Sequence, residues 1–218
     1  MTNARETAAD EVELPSQLVQ TIEHLTARWA RADTATLKHV FPLLGEGRPV
    51  SLDRLAESSG TTSELAAQAV ASGRVTLDGN GDIIELFGVT LSSTPRHIRA
   101  DVLSLFSCCA LVAHVVPRLL GRTVRVRSQD PITGDHVELE VAPDGLRQFQ
   151  PDTSMASMIA TDERTIYQDT PVHFCQHVNH FVSRKSADQF VADRPGRYVL
   201  TIRDIDIAAQ HVYSSIWS

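Results

Sequence analysis

Positive charge is scarce in this chain, and so are cysteine, aromatic residues and long apolar runs. Lys and Arg together number 20 against 27 Asp and Glu, for a formal net charge of −7. Nonspecific grip on nucleic acid or on an anionic membrane needs positive surface, so neither partner is expected. The longest uncharged stretch, Val102 to Pro117, includes Ser, His and Pro. At about sixteen residues it is short of the roughly twenty that a membrane helix needs, so it reads as a buried helix. Met1 to Pro15 is polar and acidic with no apolar run. No secretory signal is visible there, and the expected location is cytoplasmic. There are three cysteines, Cys108, Cys109 and Cys175. In a cytoplasmic protein they do not form a disulfide framework, and the plainest reading is buried thiols that act as small hydrophobes. No CxxC pair occurs, so a structural zinc site is not indicated.

What is present is ordinary globular material, 42% hydrophobic and 22% charged, in a chain long enough to bury a core. Residues 1–15 read as a flexible tail. Leu18, Ile22, Leu25 and Trp29 recur at helical spacing after Pro15 and Ser16. Ser51 is placed to cap a helix over Leu52 to Ala56, and Ser63 to cap a second with Leu65, Ala66, Ala69 and Val70. Val75 to Leu77 and Ile83 to Leu86 flank the turn Asp78-Gly79-Asn80-Gly81, which predicts a β-hairpin. Two helices and a hairpin give a winged-helix outline over residues 16–98. Its charges oppose a DNA-reading role. From 48 to 96 there are Arg48, Arg54, Arg74 and Arg96, no lysine, and six acids (Asp53, Glu57, Glu64, Asp78, Asp82, Glu85).

The second expected domain, residues 99–218, reads as an α+β core with a mixed or antiparallel sheet. An apolar helix is predicted from Ala100 to Leu120, stopped by Gly121. Thr123 to Arg127 and Val137 to Val141 alternate as strands do, on either side of the turn Asp130 to Asp135. Val172 to Val182 is expected as a further strand, Ser186 to Asp193 as a short helix, Tyr198 to Ile202 as a strand and Ile205 to Trp217 as a final helix.

Two segments carry chemistry, Phe106-Ser107-Cys108-Cys109-Ala110-Leu111 and His173-Phe174-Cys175-Gln176-His177. They are far apart in sequence, so only the fold can join them. In a strand, His173, Cys175, His177 and Asn179 would share one face. A nearby histidine can lower a thiol pKa towards neutrality and supply thiolate.

Cys109-Ala110-Leu111, then Pro117 and Leu120-Gly121-Arg122-Thr123, resembles the first cysteine segment of the alkylmercury (organomercurial) lyases. Phe174-Cys175, His177-Val178 and Phe181 resemble the second. Pro42-Leu43-Leu44, Gly47-Arg48-Pro49-Val50-Ser51 and Asp78 to Ile84 look like the family's N-terminal part. The likeness runs in order over roughly residues 38 to 182. It implies that Cys109 and Cys175 are the catalytic thiolates. One attacks mercury, the second joins it, and a proton reaches the carbon leaving group. Mercury is soft, and thiolates are the soft ligands a protein offers. No resident cofactor is implied. A soft ion, Hg(II) or Cu(I), enters as substrate, product or ligand, and Cys108 is a third candidate ligand.

The chain departs from the family pattern at two places. The family's aspartate, three residues after the first cysteine, is here Val112, which cannot carry a proton. Cys108 stands where the family usually has a bulky aromatic, and it reaches the same ion only if the backbone bends there. His114 lies too far round the helix to replace the aspartate, which leaves His173 and His177 as candidate proton donors. The resemblance therefore implies a carbon–mercury lyase of weakened or redirected activity. The alternatives are a non-catalytic Cu(I) or Hg(II) binder, and a cysteine-dependent enzyme acting on an unrelated organic substrate. The sequence leaves the oligomeric state open.

Overall fold

The structure is a computed structural model that describes residues 14–217, so most of the expected tail, residues 1–13, lies outside the described residues. The first helix, α1 (Ser16–Trp29), forms on the expected periodicity and buries Leu18, Ile22, Leu25 and Trp29 on one face. The short helices α2 (Thr34–Leu37) and α3 (Val40–Leu44) lead to α4 (Leu52–Ser59). Ser51 caps α4 by accepting the Arg54 N–H, and Gly60 ends it in the left-handed region at φ +69°. The next helix, α5 (Ser63–Ser72), is capped by Thr62 rather than by Ser63, since the Thr62 side chain accepts the Leu65 N–H.

The hairpin of β1 (Val75–Leu77) and β2 (Ile83–Leu86) forms as expected, with Val75 opposite Leu86. It is not a free wing. β2 pairs with β3 (Val89–Thr90), and β3 pairs with β5 (Leu103–Ser107). The main sheet has eight strands in the order β1-β2-β3-β5-β4-β6-β7-β8, completed by β4 (Arg96–Ala100), β6 (Val124–Gln129), β7 (His136–Ala142) and β8 (Gly145–Gln150). The boundary expected between residues 98 and 99 falls inside β4, and strands on both sides of it share this sheet. A second sheet, β10-β9-β11, joins β9 (Met155–Ile159), β10 (His180–Phe181) and β11 (Arg197–Thr201). Every named strand pairing among the described residues is antiparallel, and the class is α+β.

Two expected elements are corrected. The apolar run from Ala100 is not one helix. Leu103, Leu105 and Ser107 are buried while Ser104 is exposed, the alternation of a half-covered strand, and β5 pairs with β4 (His97 opposite Phe106). The tight turn between them places Asp101 at φ +47° and leaves Val102 exposed. Helix α6 covers only Ala110–Leu120 and ends at Gly121, φ +62°. Val172 to Val182 is likewise not one strand. After α7 (Glu163–Gln168), Asp169 caps α8 (Thr170–His173) by accepting the Val172 N–H, with Pro171 in the first turn, and a 3-10 turn follows over Cys175–His177. Only His180 and Phe181 pair as strand.

The remaining helices are α9 (Arg184–Val191) and α10 (Ile202–Trp217), and α6 packs between the main sheet and α10. A buried polar bridge fixes this packing. Asp206 of α10 accepts from His114 Nδ1 at 3.0 Å, from Arg118 at 3.3 Å and from the Leu146 N–H at 3.0 Å. Burial opposes ionisation of Asp206, but His114 and Arg118 outweigh it and hold the carboxyl at about 2. No helix among the described residues is long and apolar enough to cross a membrane.

A three-thiol cluster as the candidate active site

The first pair of cysteines sits at a strand-to-helix corner. The Cys108 N–H donates to the Gly88 carbonyl at 2.8 Å, which holds the end of β5 against the β2–β3 turn. Cys109 is extended (φ −151°, ψ 168°) and occupies the N-cap of α6. The backbone therefore bends at the point where an unbroken helix would have pointed the two side chains apart. The Ala110 N–H donates to the Val178 carbonyl at 3.0 Å, which ties the start of α6 to the segment carrying Cys175. Cys175 opens the 3-10 turn, and the Val178 N–H bonds back to its carbonyl.

These ties bring the three thiols together. The Sγ atoms of Cys108, Cys109 and Cys175 all lie within 4.8 Å of one another, and Cys108 and Cys175 are 3.3 Å apart. All three are free. Cys109 and Cys175 are buried, and Cys108 is half-buried. A side chain at Gly88 (φ +82°) would collide with the Cys108 sulfur and touch Val112 Cγ2, so glycine is needed there for space as well as for backbone conformation.

The cluster is built to carry one thiolate. Burial opposes ionisation of Cys109, but it is outweighed by hydrogen bonds from the Cys108 and Cys175 thiols, by the backbone N–H of Val112 and by the charge of Arg96, so its pKa falls well below the usual thiol range. The Val112 amide lies outside ordinary capping geometry, yet as part of the first turn of α6 it favours the anion. The Cys108 thiol is pushed well up by its hydrogen bond to Cys109, with Cys175 and burial adding to the effect. For Cys175 the contact with Cys108 works the other way, but Cys109 and burial prevail and its pKa is also raised. These shifts favour ionisation at Cys109 over Cys108 and Cys175.

Arg96 is the functional residue that sequence reasoning missed. It lies on β4, only 6% exposed, with NH1 donating to the Cys108 carbonyl at 3.1 Å and NH2 bonded to the Asn179 side chain. Burial lowers its pKa, and the nearby cysteines, Cys109 foremost, only partly offset this. Nothing in its local sequence sets it apart from the chain's other arginines.

The candidate proton donors do not join the sulfurs. Among the described residues, no His, Asp or Glu atom groups with the three thiols. His173 is half-buried in α8. His177 is buried but turned to Arg197, whose NH2 lies 3.1 Å from its Nδ1. Burial and the nearby Arg194 and Arg197 lower its pKa to about 4, so it is neutral near pH 7. His114 points to Asp206 and, through Nε2 at 3.2 Å, to His180. Val112 is 4% exposed in the first turn of α6.

Three thiols converging beside a buried cation form the kind of ligand set that soft metals take. A family model described as alkylmercury lyase matches residues 89–214, a span that includes all three cysteines. An alkylmercury lyase of Bacillus cereus is 30% identical over 166 residues, covering 76% of this chain and 74% of its own. One from Staphylococcus epidermidis is 29% identical over 204 residues, 92% of this chain and 90% of its own. One from Pseudomonas putida is 34% identical over 151 residues, 69% of each. A solved structure described as the mercury-bound form of MerB2 superposes with a TM-score of 0.71 at 16% identity, over 91% of this chain and 99% of that one. The chain belongs to the alkylmercury lyase family.

Proposed function

We propose that this chain cleaves carbon–mercury bonds by protonolysis, with Cys109 as the attacking thiolate and Cys175 as the second sulfur. The observation that carries the reading is the convergence of three sulfurs within 4.8 Å of one another. Cys109 attacks the mercury of R–Hg–X and displaces X. The Cys175 sulfur then bonds to mercury and gives up its proton. The C–Hg bond breaks with its electron pair on carbon, carbon takes a proton and leaves as R–H, and Hg(II) stays between two sulfurs. Protons balance within the cluster, since the thiol loses the one that carbon gains. No resident cofactor is needed, because mercury enters as substrate.

With valine at position 112 no carboxylate carries that proton. A positioned acid commonly supplies 10²–10⁴ in rate, so turnover is expected to be weak. Val112 also favours a second reading, a holder of Hg(II) or Cu(I) without turnover. A reducing compartment would keep three thiols this close together free, so the location we propose is cytoplasmic. The test is hydrocarbon release from phenylmercury by folded Cys109→Ser and Cys175→Ser proteins. Each is expected to lose it, and undiminished release by either would overturn the assignment.

A further inference from the structure

Two sulfurs suffice to hold mercury in a line, yet this site presents three with a buried cation beside them. We propose that the soft divalent ion in this site is held by all three thiolates, Cys108, Cys109 and Cys175, in a three-coordinate complex of net charge −1 whose counter-ion is Arg96. The inference rests on the proposed function only for how the ion arrives, since Hg(II) can be loaded directly.

The geometry favours three ligands. With metal–sulfur bonds of about 2.3 Å, two sulfurs in line through an ion stand ~4.6 Å apart, and three at trigonal corners stand ~4.0 Å apart. Here no sulfur pair exceeds 4.8 Å and Cys108–Cys175 is 3.3 Å. The Cys108 sulfur is thus already nearer to Cys175 than the two ligands of a linear complex would be to each other. Its place is fixed by the Gly88 niche and by the Cys108 N–H bond to the Gly88 carbonyl. Trigonal spacing asks the Cys108–Cys175 pair, at 3.3 Å, to widen by only ~0.7 Å.

The charges favour the same state. Arg96 is buried, its side-chain hydrogen bonds go to two neutral oxygens, and its Nε has no partner among the described residues. A buried cation without a counter-charge is strongly destabilising. A linear two-thiolate complex of a divalent ion is neutral and would leave Arg96 uncompensated. Three thiolates around a divalent ion carry −1 and restore the balance. The step is plain ligand addition. As the Cys108 sulfur bonds to the ion its proton leaves to solvent, which the half-buried Cys108 reaches. Nothing is oxidised or reduced. The ions that suit the site are soft divalent ones that accept three sulfurs, Hg(II) and Cd(II) among them. Release then requires a thiol-rich acceptor able to exchange all three bonds.

The experiment is to add one equivalent of Hg(II) to the reduced full chain and count sulfur neighbours by X-ray absorption. The same samples are then challenged with a competing dithiol. Three sulfurs are expected in the parent protein and two in Cys108→Ser, with the variant surrendering Hg(II) at least tenfold more readily. Cys108→Ala serves as the second variant if the serine protein does not fold. Two sulfurs in the parent, or a Cys108 variant that retains Hg(II) as tightly with an unchanged spectrum, would overturn the inference. Lack of hydrocarbon release from an organomercurial counts against the proposed function alone, because this readout uses Hg(II).

Discussion

Replacing Arg96 by methionine tests how the reactive thiolate is made. Methionine keeps much of the buried volume and removes the charge. A unit charge pair at 4 Å is worth ~4 kcal/mol at an effective dielectric near 20. The guanidinium is anchored on the Cys108 carbonyl at 3.1 Å and on Asn179 rather than on the Cys109 sulfur. Its distance from the thiolate is therefore larger, and a quarter to a half of that energy, ~1–2 kcal/mol, is its share. About 1.4 kcal/mol is a factor of ten in an equilibrium, so thiolate should form roughly tenfold less readily in Arg96→Met and the first thiol ionisation should move to higher pH. The substitution also strips a donor from the Cys108 carbonyl and from Asn179, at ~1–3 kcal/mol of stability for an unsatisfied buried acceptor, so a melting curve must first show a folded protein. The assay is the ultraviolet absorbance of thiolate followed against pH, with Arg96→Lys as the charge-keeping control. The lysine variant should stay near the parent value. An unchanged first ionisation in a folded Arg96→Met protein would refute the reasoning and leave the thiol contacts and the α6 amide as the source of the thiolate.

Three further outcomes follow from the same structure. Asp206 is held at about 2, below its ordinary 3.8, so its share of stability, ~2 kcal/mol, is present above about pH 4 and lost as pH falls through 2. Asp206→Asn should lose ~3–5 kcal/mol at neutral pH by stranding buried His114 and Arg118, and the gap between denaturant melts of parent and variant should narrow by ~2 kcal/mol as the pH approaches 2. Val112→Asp puts a carboxyl at a position 4% exposed, next to the Cys109 thiolate, where burial and like charge keep it protonated and fit to donate. Hydrocarbon release should rise at least about tenfold, and a folded variant that binds Hg(II) without that gain would show that a missing carboxylate is not what limits turnover. The 48–96 block carries six acids against four arginines, so no retardation of duplex DNA is expected at physiological salt, and a sequence-dependent shift would contradict this.

Elements whose pattern is local were legible in the sequence. The stripe of Leu18, Ile22, Leu25 and Trp29 predicts α1, and alternation over Thr123 to Arg127 and over Val137 to Val141 predicts β6 and β7. Composition misled where an apolar run admits two structures. The uncharged run makes Leu103 to Ser107 read as helix, although its own alternation marks a strand, and so puts Cys109 inside a helix instead of at its cap. The segment His173-Phe174-Cys175-Gln176-His177 alternates like a strand, but Asp169 and Pro171 had already opened a helix. The thiols converge even so, because a corner at Cys108–Cys109 and a 3-10 turn at Cys175 bring them together without that strand. Arg96 and the Asp206 bridge were invisible because their meaning comes only from partners 12 to 92 residues away.

The most direct measurement is a single turnover in which reduced protein meets one equivalent of phenylmercury, and benzene released and mercury retained are counted in the same sample. Protonolysis at the thiol cluster predicts one benzene per protein, with Hg(II) left on the cysteine sulfurs. Phenylmercury bound intact on the cluster, with no benzene formed, would contradict it and make the chain a soft-metal binder on a lyase fold.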